Sequence, residues 1–282
     1  MTNNKKLVLY HANCLDGFGS AYAAWCKFGD SADYIPVHYG NAPPDVKDKE
    51  IYIVDFSYKS EQLMNLVDAG NKVMVIDHHK TALPELESAA ELCDWQDFNY
   101  VFDLNKSGCV LSWEYFMLNV YIPYGLMMIQ DRDLWKFNDA NTKPFTAALK
   151  SFVPEKFESW QYVFNNESKF NSIIDQGKDL IEVFDKDVAE LAKKQHKMAF
   201  DKACCYMSVC NAPAKYASEL GNVLAKQAGS MAAIYAYDGS RQEWQFSLRS
   251  IDDFDVSVIA KVYGGGGHKN AAGFSVKRLE LL

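Results

Sequence analysis

Short apolar runs that stop abruptly at a charged or imidazole side chain recur through the first third of the chain. Lys6–Tyr10, Asp33–Tyr39, Ile51–Val54 and Val73–Ile76 have the length and the β-branched or aromatic content of buried strands. Ala21–Trp25 and Gln62–Val67 carry helical spacing between them, and Gly70 is a stop signal before the fourth run. Strand, helix and strand at these separations imply crossover connections and a parallel sheet, so the first part is predicted to be an α/β domain. Further on, Ser107–Phe116 reads as a helix opening near Gly108, and an apolar stretch from Tyr124 to Gln130 runs into Asp131-Arg132-Asp133-Leu134-Trp135.

After residue 145 the turn signals thin out. Ile173, Ile174, Leu180, Ile181, Phe184, Val188 and Leu191 fall on one face of an amphipathic helix, predicted from Ser172 to about Ala199 with His196 at the surface of its charged end. The pattern resets at Cys204. Tyr206–Val209, Met231–Tyr237 and Trp244–Leu248 read as strands, and Ser218–Gln227 and Val256–Tyr263 as helices. The expected organisation is a parallel-sheet domain over 1–171, a linker helix over 172–200 and a smaller α/β domain over 201–282.

The chemistry concentrates at the ends of the apolar runs. Met74-Val75-Ile76-Asp77-His78-His79-Lys80 passes from strand to one carboxylate and two imidazoles, at the carboxyl end where open α/β sheets hold their ligands. Lys6–Tyr10 leads to His11 and Asp16, and Ile51–Val54 leads to Asp55. Side by side in a parallel sheet, these ends bring His11/Asp16, Asp55 and Asp77/His78 to one edge. Carboxylates gathered without a cation repel one another, so their convergence points to a metal. Carboxylate with neutral imidazole suits Mn²⁺ or Mg²⁺, and no thiolate lies close to Asp77 in sequence to argue for structural zinc. Either Asp131 or Asp133 reaches the same edge; Asp131, nearer the apolar run, is the stronger candidate.

Near the C-terminus, Gly264-Gly265-Gly266-Gly267-His268-Lys269-Asn270-Ala271-Ala272-Gly273 offers close backbone approach and exposed N–H groups to an anion, with His268 and Lys269 attached. Arg249, ending a strand just upstream, supplies a fork for a phosphate or carboxylate. Tyr58, Tyr100 and Trp135 are single aromatics that serve either base stacking or packing.

Composition narrows the partners. The acidic surplus behind the formal charge of −8 lies wholly before residue 200, and such a chain is a poor general binder of long or duplex nucleic acid, which needs Lys and Arg on phosphates. Seven cysteines without paired spacing read as reduced thiols. No apolar run reaches the ~20 residues of a membrane span and no signal-peptide pattern opens the chain, so the expected location is the cytoplasm.

Asp77-His78-His79, together with Gly265-Gly266-Gly267-His268 and Ala271-Ala272-Gly273 in the same order and separation, resembles the DHH phosphoesterase family, in the branch with the DHH-associated C-terminal domain. The resemblance implies a two-domain hydrolase with two Mn²⁺ ions, Mg²⁺ or Co²⁺ being alternatives, on the N-terminal domain. Carried over position by position, it implies His11, Asp16, Asp55, Asp77, His78 and Asp131 as metal ligands, with Asp55 bridging. Catalytic roles fall to Asp77 and His79, and substrate contacts to Arg249, Gly265, Gly266, Gly267, His268 and Lys269. One position departs from the family pattern of Asp-x-Asp-Gly: the chain has Cys14-Leu15-Asp16-Gly17. The earlier carboxylate is absent, and Asn13 or Cys14 stands in its place as a ligand, or the position fills only with substrate.

The implied activity is metal-dependent hydrolysis of short oligonucleotides or linear dinucleotides to mononucleotides, with a homodimer among the expected assemblies. Cyclic dinucleotides and 3′-phosphoadenosine phosphate are the alternative substrates. A non-catalytic nucleotide sensor is the alternative of another class.

Overall fold

A computed structural model of the chain describes residues 5–279. It divides into two compact units, Met1–Ile181 and Glu182–Leu282.

The first unit is built on five parallel strands, β1 (Lys6–His11), β2 (Ala32–Val37), β3 (Glu50–Val54), β4 (Lys72–Asp77) and β5 (Phe98–Phe102), in the order β2-β1-β3-β4-β5. Alternation along the strands feeds two cores. Leu7, Leu9, Ile51, Ile53, Val73 and Val75 point to one face, covered by α2 (Ser60–Asp68) and α3 (Leu83–Leu92). Val8, Val54 and Ile76 point to the other, covered by α1 (Leu15–Phe28), α4 (Gly108–Phe116), α5 (Tyr124–Asp133), α6 (Thr142–Phe152) and α7 (Phe157–Phe164). This is the doubly covered parallel sheet that near-continuous apolar runs demand. Each fully buried aliphatic side chain in it contributes about 1.5–3 kcal/mol.

One stretch with no predicted element proves helical, and one expectation is revised. The Tyr124–Gln130 stretch is a helix that continues to Asp133, with Gly125, Leu126, Met128 and Ile129 buried. The long helix α8 runs from Glu167 to Ala192, and His196–Phe200 is a strand, β6, paired antiparallel with β7 (Cys205–Asn211) so that Phe200 is wholly buried. Pairing and burial of Phe200 outweigh the helical spacing that stops at Leu191.

The second unit carries a six-stranded sheet completed by β8 (Met231–Asp238), β9 (Glu243–Ser250), β10 (Gly266–His268) and β11 (Ala271–Val276), in the order β10-β11-β9-β8-β7-β6. Only β7 and β8 pair in parallel. Helix α9 (Ala217–Ala228) covers one face through Ala217, Leu220 and Leu224, and α10 (Val256–Val262) covers the other through Val256 and Ala260.

Candidate metal centre

In the first sheet the strand order reverses between β1 and β3. The connection after β1 crosses one face through α1 while that after β3 crosses the other through α2, which opens a crevice at their carboxyl ends. His11 closes β1, Asp55 follows β3 immediately, and Asp77 closes β4 with His78 and His79 behind it. Asp16 enters from the first turn of α1 and Asp133 from the last turn of α5.

Their heads converge. His78 Nε2 lies 3.3 Å from Asp55 Oδ1, 3.6 Å from Asp16 Oδ2 and 3.6 Å from Asp133 Oδ2. His11 Nδ1 lies 3.5 Å from Asp55 Oδ2. Three overlapping sets have donor atoms within 4.8 Å of one another: Asp55, Asp77, His78 and His79; His11, Cys14 and Asp55; Asp16, His78 and Asp133. Asp55 is common to two sets and His78 to two, the sharing that a pair of neighbouring ions requires.

Local structure sets each ligand. Asn13 and Asp55 have φ of 59° and 62°, in the left-handed region that Asn and Asp enter more readily than other non-glycine residues. A Cβ on Gly17 would meet the His11 carbonyl oxygen at 2.1 Å, and one on Gly108 would meet Asp55 Cβ and Oδ1 at 2.7 Å. Only glycine fits either place. The backbone N–H groups of Gly108 and Cys109, at the start of α4, donate to Asp16 Oδ2 at 2.6 Å and Oδ1 at 3.0 Å. Asp77 Oδ1 accepts from the backbone of His78 and His79 at 2.7 and 3.2 Å and meets His79 Nδ1 at 2.7 Å. One oxygen of Asp77 is thereby committed to holding the turn, and Oδ2 is left over.

The electrostatics are those of a crowded anionic site. Burial pushes the Asp16 carboxyl well up, and the Asp55 and Asp133 charges add to it against His78. For Asp55 burial acts in the same sense, but the imidazoles of His11 and His78 outweigh it and hold the carboxyl below the usual range. Burial opposes the protonated form of His78, yet Asp55, Asp16 and Asp133 raise it to about 10. His79 is raised to about 9, with Asp77 overcoming the same burial. Desolvation at the mouth of the cluster raises Asp133 in spite of His78.

The residues fit a divalent cation. Asp55 is 1% exposed, and both its oxygens, with Asp77 Oδ2 and His11 Nδ1, are buried without a hydrogen bond among the described residues. Each such atom costs about 1–3 kcal/mol when left unsatisfied. A cation bound by these oxygens and nitrogens removes that cost at all of them together.

His11, Asp16, Asp55, Asp77 and His78 are therefore brought together as expected of neighbours at one sheet edge. Asp131 is not among them. Its Oδ1 accepts from the backbone of Asn138 at 2.9 Å, and its Oδ2 from the backbone of Asp139 at 3.2 Å and from Thr142 Oγ1 at 2.6 Å, so it ties down the loop after α5. Burial works against the ionised Asp131, but these donors prevail and hold its carboxyl below the ordinary value. Asp133 takes the place expected of Asp131. On a helix the two side chains point about 200° apart, and Asp133 is one turn beyond buried Ile129, which is the signal that marks it once the stretch is read as a helix. Sequence reasoning also missed the Gly108–Cys109 amides that hold Asp16, and Tyr39, whose ring lies edge-on 4.6 Å from that of His11.

In the second unit Arg249 Nη1 donates to the Leu248 carbonyl at 2.8 Å and Nη2 to Ser218 Oγ at 2.9 Å. Lys269 Nζ donates to Asp253 at 2.7 Å. Gly265 and Gly267 are needed by the β10–β11 hairpin itself, because an added Cβ would stand 2.0 Å from the Gly273 oxygen and 2.6 Å from the Ala271 oxygen. Gly266 is different: a Cβ there meets nothing within 4 Å. His268 is half-buried on β10, opposite Ala271. Of the single aromatics, Tyr58 packs in the core against Phe56, while Trp135 is 36% exposed.

The parallel sheet with its crevice of carboxylates, followed by a second α/β unit, is matched by family likeness. The DHHA1 domain pattern matches residues 201–282. The chain belongs to the DHH phosphoesterase family, in the branch that carries this DHH-associated C-terminal domain. Over 293 residues it is 33% identical to the uncharacterized protein R106 of Acanthamoeba polyphaga mimivirus, covering 95% of this chain and 67% of the relative. Over 300 residues it is 28% identical to oligoribonuclease NrnB of Bacillus subtilis (strain 168), covering 95% of this chain and 72% of that one. Among solved structures, the pGpG-specific phosphodiesterase PggH of Vibrio cholerae is similar at a TM-score of 0.49 and 12% identity, over 97% of this chain and 93% of that one.

Proposed function

We propose that the chain is a metal-dependent phosphodiesterase that hydrolyses short oligoribonucleotides or linear dinucleotides to mononucleotides, with Mn²⁺ as its working ion. The observation that carries this reading is the set of buried, unsatisfied oxygens of Asp55 and Asp77 at the β1/β3 crevice. A nucleotide-binding sensor has no use for such a costly cluster. The likeness to an oligoribonuclease over most of the chain supports the choice of substrate.

His11, Asp16, Asp55, Asp77, His78 and Asp133 would hold the metal. Bound there, divalent ions lower the pKa of water and offset charge on the phosphoryl oxygens. The rest of the work falls to the protein's own groups. Two backbone N–H groups fix Asp16, and the turn that closes on Asp77 Oδ1 aims its other oxygen. His79, anchored through Nδ1 to Asp77, would assist a departing oxygen from Nε2, as a general acid or by hydrogen bonding. Gly266, on β10 and open to an added Cβ, would be where a phosphate approaches the backbone, with Arg249 and His268 as further substrate contacts.

The experiment is hydrolysis of a 5′-labelled RNA dinucleotide, a cyclic dinucleotide and 3′-phosphoadenosine phosphate with Mn²⁺, beside an Asp77→Ala control. Release of mononucleotide from the linear substrate that depends on metal and disappears in the control is the expected result. Faster turnover of either other substrate would reassign the specificity. Nucleotide binding without turnover of any substrate would sink the phosphodiesterase reading.

A further inference from the structure

The turn after β1 brings a sulfur into the cluster. Cys14 Sγ, a ring nitrogen of His11 and a carboxylate oxygen of Asp55 lie within 4.8 Å of one another. Asn13, the other residue at this place in the sequence, is exposed and occupied in forming the left-handed turn. A second observation is independent of the cysteine. Asp55 is almost wholly buried, with neither oxygen hydrogen-bonded, and the Nδ1 atom of His11 is buried in the same condition. A buried carboxylate and a buried imidazole, 3.5 Å apart and without a hydrogen bond, thus converge with a thiol. The remaining six cysteines belong to no such set among the described residues.

We propose that Cys14 is a metal ligand, and that the His11–Cys14–Asp55 position selects a borderline ion such as Zn²⁺ or Co²⁺ over Mg²⁺. The inference rests on the metal-centre reading above and adds a chemical identity to one half of it. Thiolate and imidazole are the donors that such ions prefer, whereas the set formed by Asp16, His78 and Asp133 has no sulfur and keeps the preference for harder ions. On binding, the thiol proton leaves to solvent as the sulfur–metal bond forms, with no change of oxidation state. The two halves of the centre then differ in the metal they take. The lack of a thiolate near Asp77 in sequence does not bear on this position, because the sulfur comes from a different strand end.

The test is a Co²⁺ titration of the full-length, metal-stripped chain followed by absorption spectroscopy. Visible d–d bands report cobalt binding whatever the donors, and a near-ultraviolet sulfur-to-cobalt charge-transfer band reports thiolate ligation. The expected result is both signals in the native chain, loss of the charge-transfer band alone in Cys14→Ser and Cys14→Asp, and its retention in the double variant Cys204→Ser, Cys205→Ser. Cobalt bound without the charge-transfer band in the native chain, or with a band that survives Cys14→Ser, would overturn the assignment and leave the metal centre standing. No cobalt bound at all would remove the metal centre together with the assignment.

Discussion

The two units deal with their polar side chains in opposite ways. In the first, His11 Nδ1, Asp77 Oδ2 and both oxygens of Asp55 are buried with no hydrogen bond. In the second, no buried side-chain oxygen or nitrogen is left without a hydrogen bond among the described residues, and the cations that look available in sequence are engaged by their own unit. Arg249 is tied to Leu248 and Ser218, and Lys269 to Asp253. The first unit is therefore incomplete without a cation. The second is complete as it stands, and offers a ligand mainly backbone.

The strongest way to break this comparison is to remove Asp55, which belongs to two of the three ligand sets. Asp55→Ala should abolish metal binding at the crevice and lower kcat by more than ~100-fold, since even residues that only support a metal ligand account for about 10–100-fold. Metal content by atomic absorption and turnover of the RNA dinucleotide check it. Wild-type activity in the variant would mean that the unsatisfied oxygens serve no ion.

A finer cut separates two carboxylates of one helix. Asp133→Ala should weaken metal binding by about 10–100-fold with little change in thermal stability, because among the described residues its side chain pairs with His78 of the cluster. Asp131→Ala should do the reverse. It removes three local hydrogen bonds and should cost about 1–2 kcal/mol of stability, with metal affinity near that of the native chain. Metal titration and denaturant unfolding of the two variants decide the matter, and a swap of their phenotypes would restore Asp131 to the site.

Two glycines extend the comparison to the backbone. Gly108→Ala drives a methyl into Asp55 and should cost about tenfold or more in activity, through displacement of the carboxylate. Gly266→Ala meets open space, so its stability should stay within ~0.5 kcal/mol of the native value. A rise in KM there without loss of stability would place substrate against the β10 backbone. An unchanged KM would put the phosphate elsewhere.

Much of this arrangement was legible because a strand's carboxyl end is marked in sequence by an abrupt loss of apolar character. His11, Asp55 and Asp77 carry that mark, and parallel pairing does the rest. Asp133 carried it too, but only in helical period, and a short apolar run does not distinguish the two periods. The Gly108 and Cys109 amides were invisible for another reason: they reach Asp16 across a packing interface that no local pattern encodes. In sequence the glycine run looks uniformly open. Structure shows that two of its members are required by their own hairpin, a distinction that depends on where the Gly273 and Ala271 carbonyls come to lie.

The smallest effect tests whether satisfied carboxylates exist in the first unit as well. Glu85, on α3, accepts from the Ser60 backbone at 2.9 Å and from Lys59 Nζ at 2.9 Å, and these partners, the Ser60 N–H foremost, hold its carboxyl below the ordinary value. A carboxyl depressed on folding adds stability above its unfolded pKa of about 4.3, and that stability is lost as pH falls through the folded value. Because the pair is near the surface, the contribution should be only a few tenths of a kcal/mol. Unfolding of the native chain and of Glu85→Gln should then differ at neutral pH and converge as the pH falls below the unfolded pKa of about 4.3. A gap that persists in acid would show that Glu85 acts through packing, and that local hydrogen bonding is not what separates it from the carboxylates of the crevice.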